Sequence, residues 1–263
     1  MKIFVCVKHV PDTAARVSIL GSAECDAGNK YVVNPHDEYA IEQAVSIKRE
    51  LGDTEVTAVS LGGTDAEKTL RSALALGADR AVLVETGVSF PGPRLTAAGL
   101  AAVMCTDPLP DLILTGSRSV DTEAMQTPYR LAEILGLPVV TEITAFEMAG
   151  ESLRIERELG AGTIEEIEIS LPCVVGAARG LNIPRSPTLP ALMQARKKPL
   201  EKIPLDSLVE HRSEGFRIVR IEATTDERCV EMISGTTQEA AEVLAQIIKI
   251  ASGNGPAESN TNQ

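Results

Sequence analysis

The sequence has no tryptophan, and aromatic residues make up only 3% of it. A surface that stacks the successive bases of a single strand needs such rings, so this composition argues against that class of function. Positive charge is also short. Lys and Arg number 25 against 37 Asp and Glu, which gives a formal net charge of -12 and a pI near 4.8. A general nucleic-acid binder carries the opposite balance, whereas an acidic surface is compatible with binding one nucleotide. No apolar run approaches the roughly 18 residues of a membrane span. The five cysteines, Cys6, Cys25, Cys105, Cys173 and Cys229, show no Cys-x-x-Cys spacing. Cys6 and Cys173 lie in apolar strand-like runs, where a thiol behaves as a small hydrophobe, and the pattern fits a reducing compartment. The first strand-like run begins at Lys2 with no signal-like segment before it, so the expectation is a cytoplasmic protein without membrane insertion. Conventional catalytic sets are missing too. His9, His36 and His211 are far apart with no metal-ligand spacing, and Ser117 and Ser119 lack the Gly-x-Ser-x-Gly setting of a nucleophile elbow.

What is present is a repeated strand–helix grammar. At 263 residues the chain can hold one sizeable α/β domain with an appendage, or two small domains. Strand-like runs at Lys2–Val7, Glu55–Leu61, Arg80–Glu85 and from Asp111 to Gly116 alternate with amphipathic segments. Asn34-Pro35-His36-Asp37-Glu38 reads as a helix start, with Asn34 as cap, Pro35 at the first helical position and acids in the first turn. Gly52 is the expected stop. Thr64 and Glu67 have capping-box spacing, Gly77 ends that helix, and a third helix is expected over Arg94–Met104. The alternation predicts an α/β fold: a mostly parallel open sheet flanked by helices, Rossmann-like, joined by right-handed crossovers. The stretch Lys8–Asn29, rich in small and polar residues, reads as a long irregular excursion.

The organising stretch runs from Asp111 through Thr127 into a helix-like segment over Pro128–Leu135. It is strand, polar loop, helix. Such a junction lies at the carboxyl edge of an α/β sheet, where backbone N–H groups and a helix N-terminus favour an anion. Gly116 would let the backbone approach a ligand, Ser117, Ser119, Thr122 and Thr127 offer hydroxyls, and Asp121 offers an acceptor. Taken alone the loop reads as an ordinary βα turn, since it matches neither a Walker A sequence nor Gly-x-Gly-x-x-Gly.

After Gly136 the grammar changes. Val139-Val140, Ala145–Met148, Leu153–Glu158 and Thr163–Ile169 read as strands, with Ala149-Gly150-Glu151 as a hairpin, so added antiparallel strands are expected. Leu171–Ala178 returns to the core, with Pro172 near a strand start or edge. From Arg179 to Lys198 three prolines, Pro184, Pro187 and Pro190, stiffen the chain. Leu189, Leu192 and Met193 share one face of a short helix that turns basic at Arg196, Lys197 and Lys198. Two readings stand side by side here: a helix end complemented by cations, and an apolar docking knob steered by them. Beyond Pro199 the chain shows no core pattern of its own. Arg217–Glu222 alternates like a lone strand, and Thr236 to Glu239 caps an amphipathic helix through Ala240, Val243, Leu244 and Ile247. The expected organisation is therefore an α/β domain over residues 1–198, a C-terminal arm over 199–250 that packs on a partner, and a disordered tail over 251–263.

Three stretches in these relative positions resemble the small (beta) subunit of electron-transfer flavoprotein. They are Val7-Lys8 with Asn34-Pro35 downstream; Gly116 through Thr127; and Arg157-Glu158 leading to Leu171-Pro172, then Asn182-Ile-Pro-Arg185 with Lys197-Lys198-Pro199. The resemblance implies a non-catalytic electron-carrier subunit that forms a heterodimer with a larger alpha subunit, which holds most of the working FAD. It implies AMP bound in this subunit as a structural element, or a second FAD as in electron-bifurcating members. By position the nucleotide would lie against Cys6, Asn34, Pro35, His36, Asp37 and Leu61. It would also meet Gly116, Ser117, Arg118, Ser119, Val120, Asp121, Thr122, Glu123, Ala124, Met125, Gln126 and Thr127. The family's recognition loop, which plugs into a flavin dehydrogenase donor, maps to Asn182 through Lys198, with Asn182, Pro184, Arg185, Leu189, Met193 and Lys197 as its contact residues. Departures are local. Ser117-Arg118 replaces the usual Lys-Gln, Pro128 a glycine, Ser186 a tyrosine and Gln194 a lysine. Thr13 and His36 stand where some members carry aromatics near the alpha flavin.

One rival reading comes from Ser60-Leu-Gly-Gly-Thr-Asp65, which resembles the Ser-Gly-Gly-x-Asp-Ser loop of ATP pyrophosphatases. That loop normally follows the first strand and ends in Ser. Here it follows the second and ends in Ala66, so a capping box is the simpler reading. A stand-alone nucleotide-sensing module is the third alternative, and the partnerless arm counts against it.

Overall fold

The computed structural model describes residues 1–21, 24–28, 30–88, 90–106, 109–210, 218–223 and 232–251. His211, Cys229, Arg217 at the start of the expected lone strand, and the expected tail from Ser252 onward lie outside the described residues. The described chain forms two compact bodies, Met1–Glu222 and one that begins at Ala223.

Apolar, mostly β-branched runs become the buried strands of the first body. In chain order the elements are β1 (Lys2–Cys6), β2 (His9–Pro11), β3 (Ser18–Leu20), β4 (Glu24–Asp26), β5 (Tyr31–Val33), α1 (Pro35–Leu51), β6 (Glu55–Gly62), α2 (Ala66–Leu76), β7 (Arg80–Glu85) and α3 (Pro93–Thr106). They continue with β8 (Leu112–Gly116), α4 (Thr127–Leu135), β9 (Val139–Ala149), β10 (Ser152–Gly160), β11 (Thr163–Ser170), β12 (Cys173–Ala177), α5 (Leu189–Ala195) and β13 (Leu200–Pro204). Nine strands form one sheet in the order β11-β10-β9-β12-β8-β1-β6-β7-β13. The pairs from β9 to β13 are parallel, and β9-β10-β11 is an antiparallel meander. The α/β class, the parallel sheet and the added antiparallel strands all agree with the sequence reading.

Both faces of the sheet are covered. On one, Ile3, Val5, Leu112, Leu114 and Val175 pack against Ile41, Ala44 and Ile47 of α1 and Leu70 and Leu74 of α2. On the other, Phe4, Val59, Val82, Ile113 and Val174 pack against Leu100 and Met104 of α3 and Leu131 of α4. Each such large side chain withdrawn from water contributes roughly 1.5–3 kcal/mol, so this double-sided burial fixes which strand ends share an edge.

Several local expectations change. The Lys8–Asn29 excursion contains three short strands, of which β2 pairs with β5 and β3 with β4. Val139-Val140 and Ala145–Met148 are one strand, interrupted only in conformation where Glu142 takes a φ of 61°. The hairpin at Gly150 forms, with the positive φ of 68° that a glycine accepts without strain. The Thr64–Glu67 capping box does not form. Thr64 Oγ1 donates to Glu85 instead, and Glu67 pairs with Arg71 and Lys202. Just beyond residue 198, β13 lies beside β7 and Leu205 is buried. The Arg217–Glu222 alternation yields no strand among its described residues, 218–222.

In the second body α6 (Thr237–Ala251) carries the expected cap. Thr236 Oγ1 accepts from the Glu239 N–H, and the Glu239 carboxylate accepts from the Thr236 N–H at 2.7 Å. Val243, Leu244 and Ile247 mark its apolar face.

Candidate functional site

β1 sits between β6 and β8. From β1 the chain proceeds outward through β6 to β7, then returns through α3 to the other side of β1 as β8. The connections leaving the carboxyl ends of β1 and β8 therefore diverge, and the crevice between them is where open α/β sheets place ligands. Three segments meet there: the end of β1 with Lys8, the first turn of α1, and the loop from Gly116 to α4.

Asp37 ties these segments together. Its Oδ2 accepts from the Lys8 N–H at 2.6 Å, and its Oδ1 accepts from Asn34 Nδ2 at 2.9 Å and the Gly116 N–H at 3.1 Å. Burial pushes the Asp37 carboxyl up to about 7, against the pull of those three donors. Asn34 occupies the cap position of α1, but its side chain does not cap the helix. Its amide reaches across instead, donating to the Arg118 carbonyl at 2.9 Å and accepting from the Val120 N–H at 3.1 Å. Gly116 likewise has a different purpose from the one expected. A Cβ there would stand 2.3 Å from Asp37 Oδ1 and 2.9 Å from the carbonyl carbon of His36. The close approach that requires glycine is that of α1 to the strand end.

The outer wall of the loop is held by Lys8. Its Nζ lies 2.7 Å from Asp121 Oδ1, 3.2 Å from Ser119 Oγ and 3.4 Å from Thr122 Oγ1. Burial raises the Asp121 carboxyl, but hydrogen bonds from Lys8 and Ser119 and the lysine charge outweigh it and hold the group below the ordinary carboxylate value. Ser117 faces inward: its Oγ donates to the Gly176 carbonyl and accepts from the Glu142 N–H, both at 2.9 Å. It buttresses the loop from beneath. Arg118 pairs with Glu142 at 2.9 Å. Arg118 Nε, Glu142 Oε1 and His36 Nδ1 are buried without a hydrogen-bond partner among the described residues. Burial, then the Arg118 charge, lowers the His36 pKa, which keeps that imidazole neutral near pH 7. Buried polar atoms usually find partners, so this trio suits a polar ligand.

The remaining predicted residues fall into place around that centre. Glu123 and Met125 take positive φ values of 47° and 53°. Ala124 and Gln126 are exposed, with Gln126 Oε1 accepting from Arg130. Thr127 and Pro128 open α4. Pro35 opens α1. Cys6 and Leu61 belong to the core on the α3 face, where a Cβ on Gly99 would meet Leu61 Cδ1 at 2.6 Å. Their side chains pack, leaving their backbone at the sheet edge. Lys8 and Glu142 were not among the predicted site residues. Lys8 was legible, as a lysine immediately after a buried strand; Glu142 was not, because a bend inside a strand places it.

A model of the electron transfer flavoprotein domain matches residues 25–208 of this chain. The chain belongs to the electron transfer flavoprotein family. Among its relatives is the electron transfer flavoprotein subunit beta of Bacillus subtilis (strain 168), 41% identical over 209 residues that cover 79% of this chain and 80% of the relative. The human electron transfer flavoprotein subunit beta is 32% identical over 255 residues, covering 95% and 99% of the two chains. Within this family the chain falls among the beta subunits, and residues 25–208 take in the first turn of α1, the loop from Gly116 to α4 and the segment after β12. Among the described residues no helix is long and apolar enough to cross a membrane, and no group of three or more His, Cys, Asp or Glu could hold a metal ion.

The family's second expected surface lies away from the crevice. Asn182 Nδ2 donates to the Tyr39 carbonyl at 3.0 Å, and Arg185 grips Glu42, with Nε to Oε2 at 2.7 Å. Thr188 caps α5, its hydroxyl accepting from the Ala191 N–H. Leu189 and Met193 project outward, 72% and 64% exposed. Pro184 and Lys197 flank them. Lys198 departs from the basic patch: its Nζ donates to the Leu74 and Ala78 carbonyls, at 2.9 and 2.6 Å, and complements the end of α2 rather than of α5.

Proposed function

We propose that this chain is the beta half of a heterodimeric electron carrier that passes electrons from a flavin dehydrogenase to a downstream acceptor, with FAD held mainly by an alpha subunit and AMP held in the crevice described above. The observation that carries the nucleotide assignment is the convergence of Asn34–Asp37 with Gly116–Thr127 at the switch point, where His36 Nδ1 and Arg118 Nε have no hydrogen-bond partner among the described residues. The N-terminus of α4 and the hydroxyls of Ser119 and Thr122 suit a phosphate and a ribose. Bound AMP would supply binding energy and no redox chemistry. Within this reading the chain orders one wall of the flavin site and presents Leu189 to the donor, without moving a proton or forming a covalent bond itself. The segment beyond β13, ending in the apolar face of α6, is the arm that packs on the alpha subunit. The working compartment is the cytoplasm.

The test is to purify the chain with whatever partner co-purifies, release its nucleotides and identify them chromatographically. AMP beside one FAD per dimer is the expected result. Two FAD and no AMP would replace this reading with an electron-bifurcating one, and no nucleotide with no partner would overturn it. The pyrophosphatase reading finds no support in the geometry. Its Gly63-Thr64 turn faces the Glu85 carboxylate, which accepts from Thr64 Oγ1 at 2.6 Å and would repel a triphosphate.

A further inference from the structure

A seven-residue helix such as α5 has little stability of its own in water. Its outward residues, Leu189 and Met193, gain nothing from the core. Yet the chain on both sides of it is gripped from outside the loop. Upstream, Glu42 of α1, whose side chain is only 12% exposed, takes the Arg185 guanidinium on both carboxylate oxygens and also accepts from the Arg185 N–H at 3.3 Å. The paired guanidinium holds the Glu42 carboxyl below its ordinary value, although burial alone would raise it. Downstream, Arg71 of α2 donates from one nitrogen to the Ala195 carbonyl at 3.0 Å and the Lys198 carbonyl at 2.9 Å. Ala195, at the end of α5, is buried at 2% exposure. The two grips bracket the apolar knob, and their hydrogen bonds go to the chain on either side of it.

We infer that Glu42 and Arg71 are positioning residues that hold the Leu189 knob in its docking geometry before the donor arrives. The inference rests on the reading of residues 182–198 as the donor-docking surface. A bidentate carboxylate–guanidinium pair fixes orientation as well as distance, and Arg71 fills the role that an unpaired helix C-terminus needs filled. With both in place the loop enters the complex already ordered, so docking does not have to order it. Loss of either grip should therefore weaken encounter with the donor without slowing transfer once the complex has formed.

The experiment uses the intact heterodimer and its donor dehydrogenase, with Glu42→Gln and Arg71→Lys as the least disruptive variants and Arg71→Ala as the stronger one. The measurements are the donor's KM and kcat with the carrier as varied substrate, and amide hydrogen exchange over residues 186–197. In Glu42→Gln and Arg71→Ala, KM should rise about fivefold to tenfold with kcat kept within about twofold, and exchange of the α5 amides should quicken by about tenfold. Arg71→Lys should fall between Arg71→Ala and the parent. Added to Leu189→Ala, neither grip variant should raise KM further, because there is no knob left to position. Unchanged exchange, or an unchanged KM where Leu189→Ala does raise it, would overturn the inference and leave the docking reading standing. If Leu189→Ala itself leaves KM unchanged, the docking reading fails and the inference falls with it.

Discussion

The two loops that carry the functional proposals are built in opposite senses. From Gly116 to Thr127 the polar groups turn toward one another and toward α1, joined through Asp37, Asn34 and Lys8. From Asn182 to Lys198 the hydrogen bonds to α1 and α2 come at the two ends, and Leu189 and Met193 between them face outward. The first arrangement makes a polar recess that is coupled to folding; the second makes a protrusion that the fold does not need. A substitution in the crevice should therefore register in stability, whereas one on the knob should register only in partner kinetics.

The sharpest break of that contrast is Gly116→Ala. The added methyl meets a carboxylate oxygen and a backbone carbon, so α1 must shift away from β8, and a loss of roughly 3 kcal/mol or more is expected in chemical denaturation. A loss under ~1 kcal/mol would mean that α1 can yield at no cost. Next is Asp37→Asn, which places an amide against converging N–H donors and should cost roughly 1–3 kcal/mol. This residue also sets a pH signature. Its folded-state pKa, about 7, lies above the ordinary 3.8, so the native state holds a proton that the unfolded state releases. Its contribution is complete below about pH 4 and is lost as pH rises through about 7. Stability of the parent relative to Asp37→Asn should accordingly decline across that window, and a flat difference would contradict the assignment. Asp121, held below its ordinary value by Lys8 and Ser119, acts in the other direction and loses its contribution as the medium becomes acidic.

Asp121→Ala is expected to cost no more than ~1 kcal/mol in the isolated fold, because its ion pair is partly exposed, while nucleotide content and dimer stability fall together. Unaltered nucleotide stoichiometry would detach the loop from the ligand. Leu189→Ala should change stability by less than ~0.5 kcal/mol and leave flavin content intact while weakening electron acceptance from the donor. Equal kinetics in parent and variant would remove the contrast between the two loops.

Much of this was readable in the residues. The apolar runs at Lys2, Glu55, Arg80 and Leu112 are buried on both faces, so composition alone marks them as strands, and Pro35 and Gly52 punctuate α1 as expected. Thr236 and Glu239 closed their capping box, whereas Thr64 and Glu67, with the same spacing, did not. Glu67 faces Arg71 and Lys202, and Thr64 faces Glu85. Those partners are far away in sequence, and no local pattern announces them. The same holds for Asn34, whose side chain left its cap for Arg118 and Val120, and for Ser117, drawn inward by β12 and β9. β13 escaped notice because an edge strand with half-exposed side chains lacks the apolar run that marks an interior one. The crevice was located by the order of the strands, and its inner lining was decided by tertiary contacts.

The placement of β13 has a bearing on how the chain assembles. β12 and β13 are separated in the sheet by β8, β1, β6 and β7, so the segment between them must travel five interstrand spacings, roughly 24 Å. It passes over the face covered by α1 and α2, where Leu181, Ala195 and Leu200 join the core. The anchors along that path belong to those two helices, Tyr39 and Glu42 to α1 and Arg71 and Leu74 to α2. Contacts between residues so distant along the chain form late. The strap and the edge strand it leads to are thus expected to be the last parts of this sheet to be laid down, with β13 completing an array whose other strands are already paired.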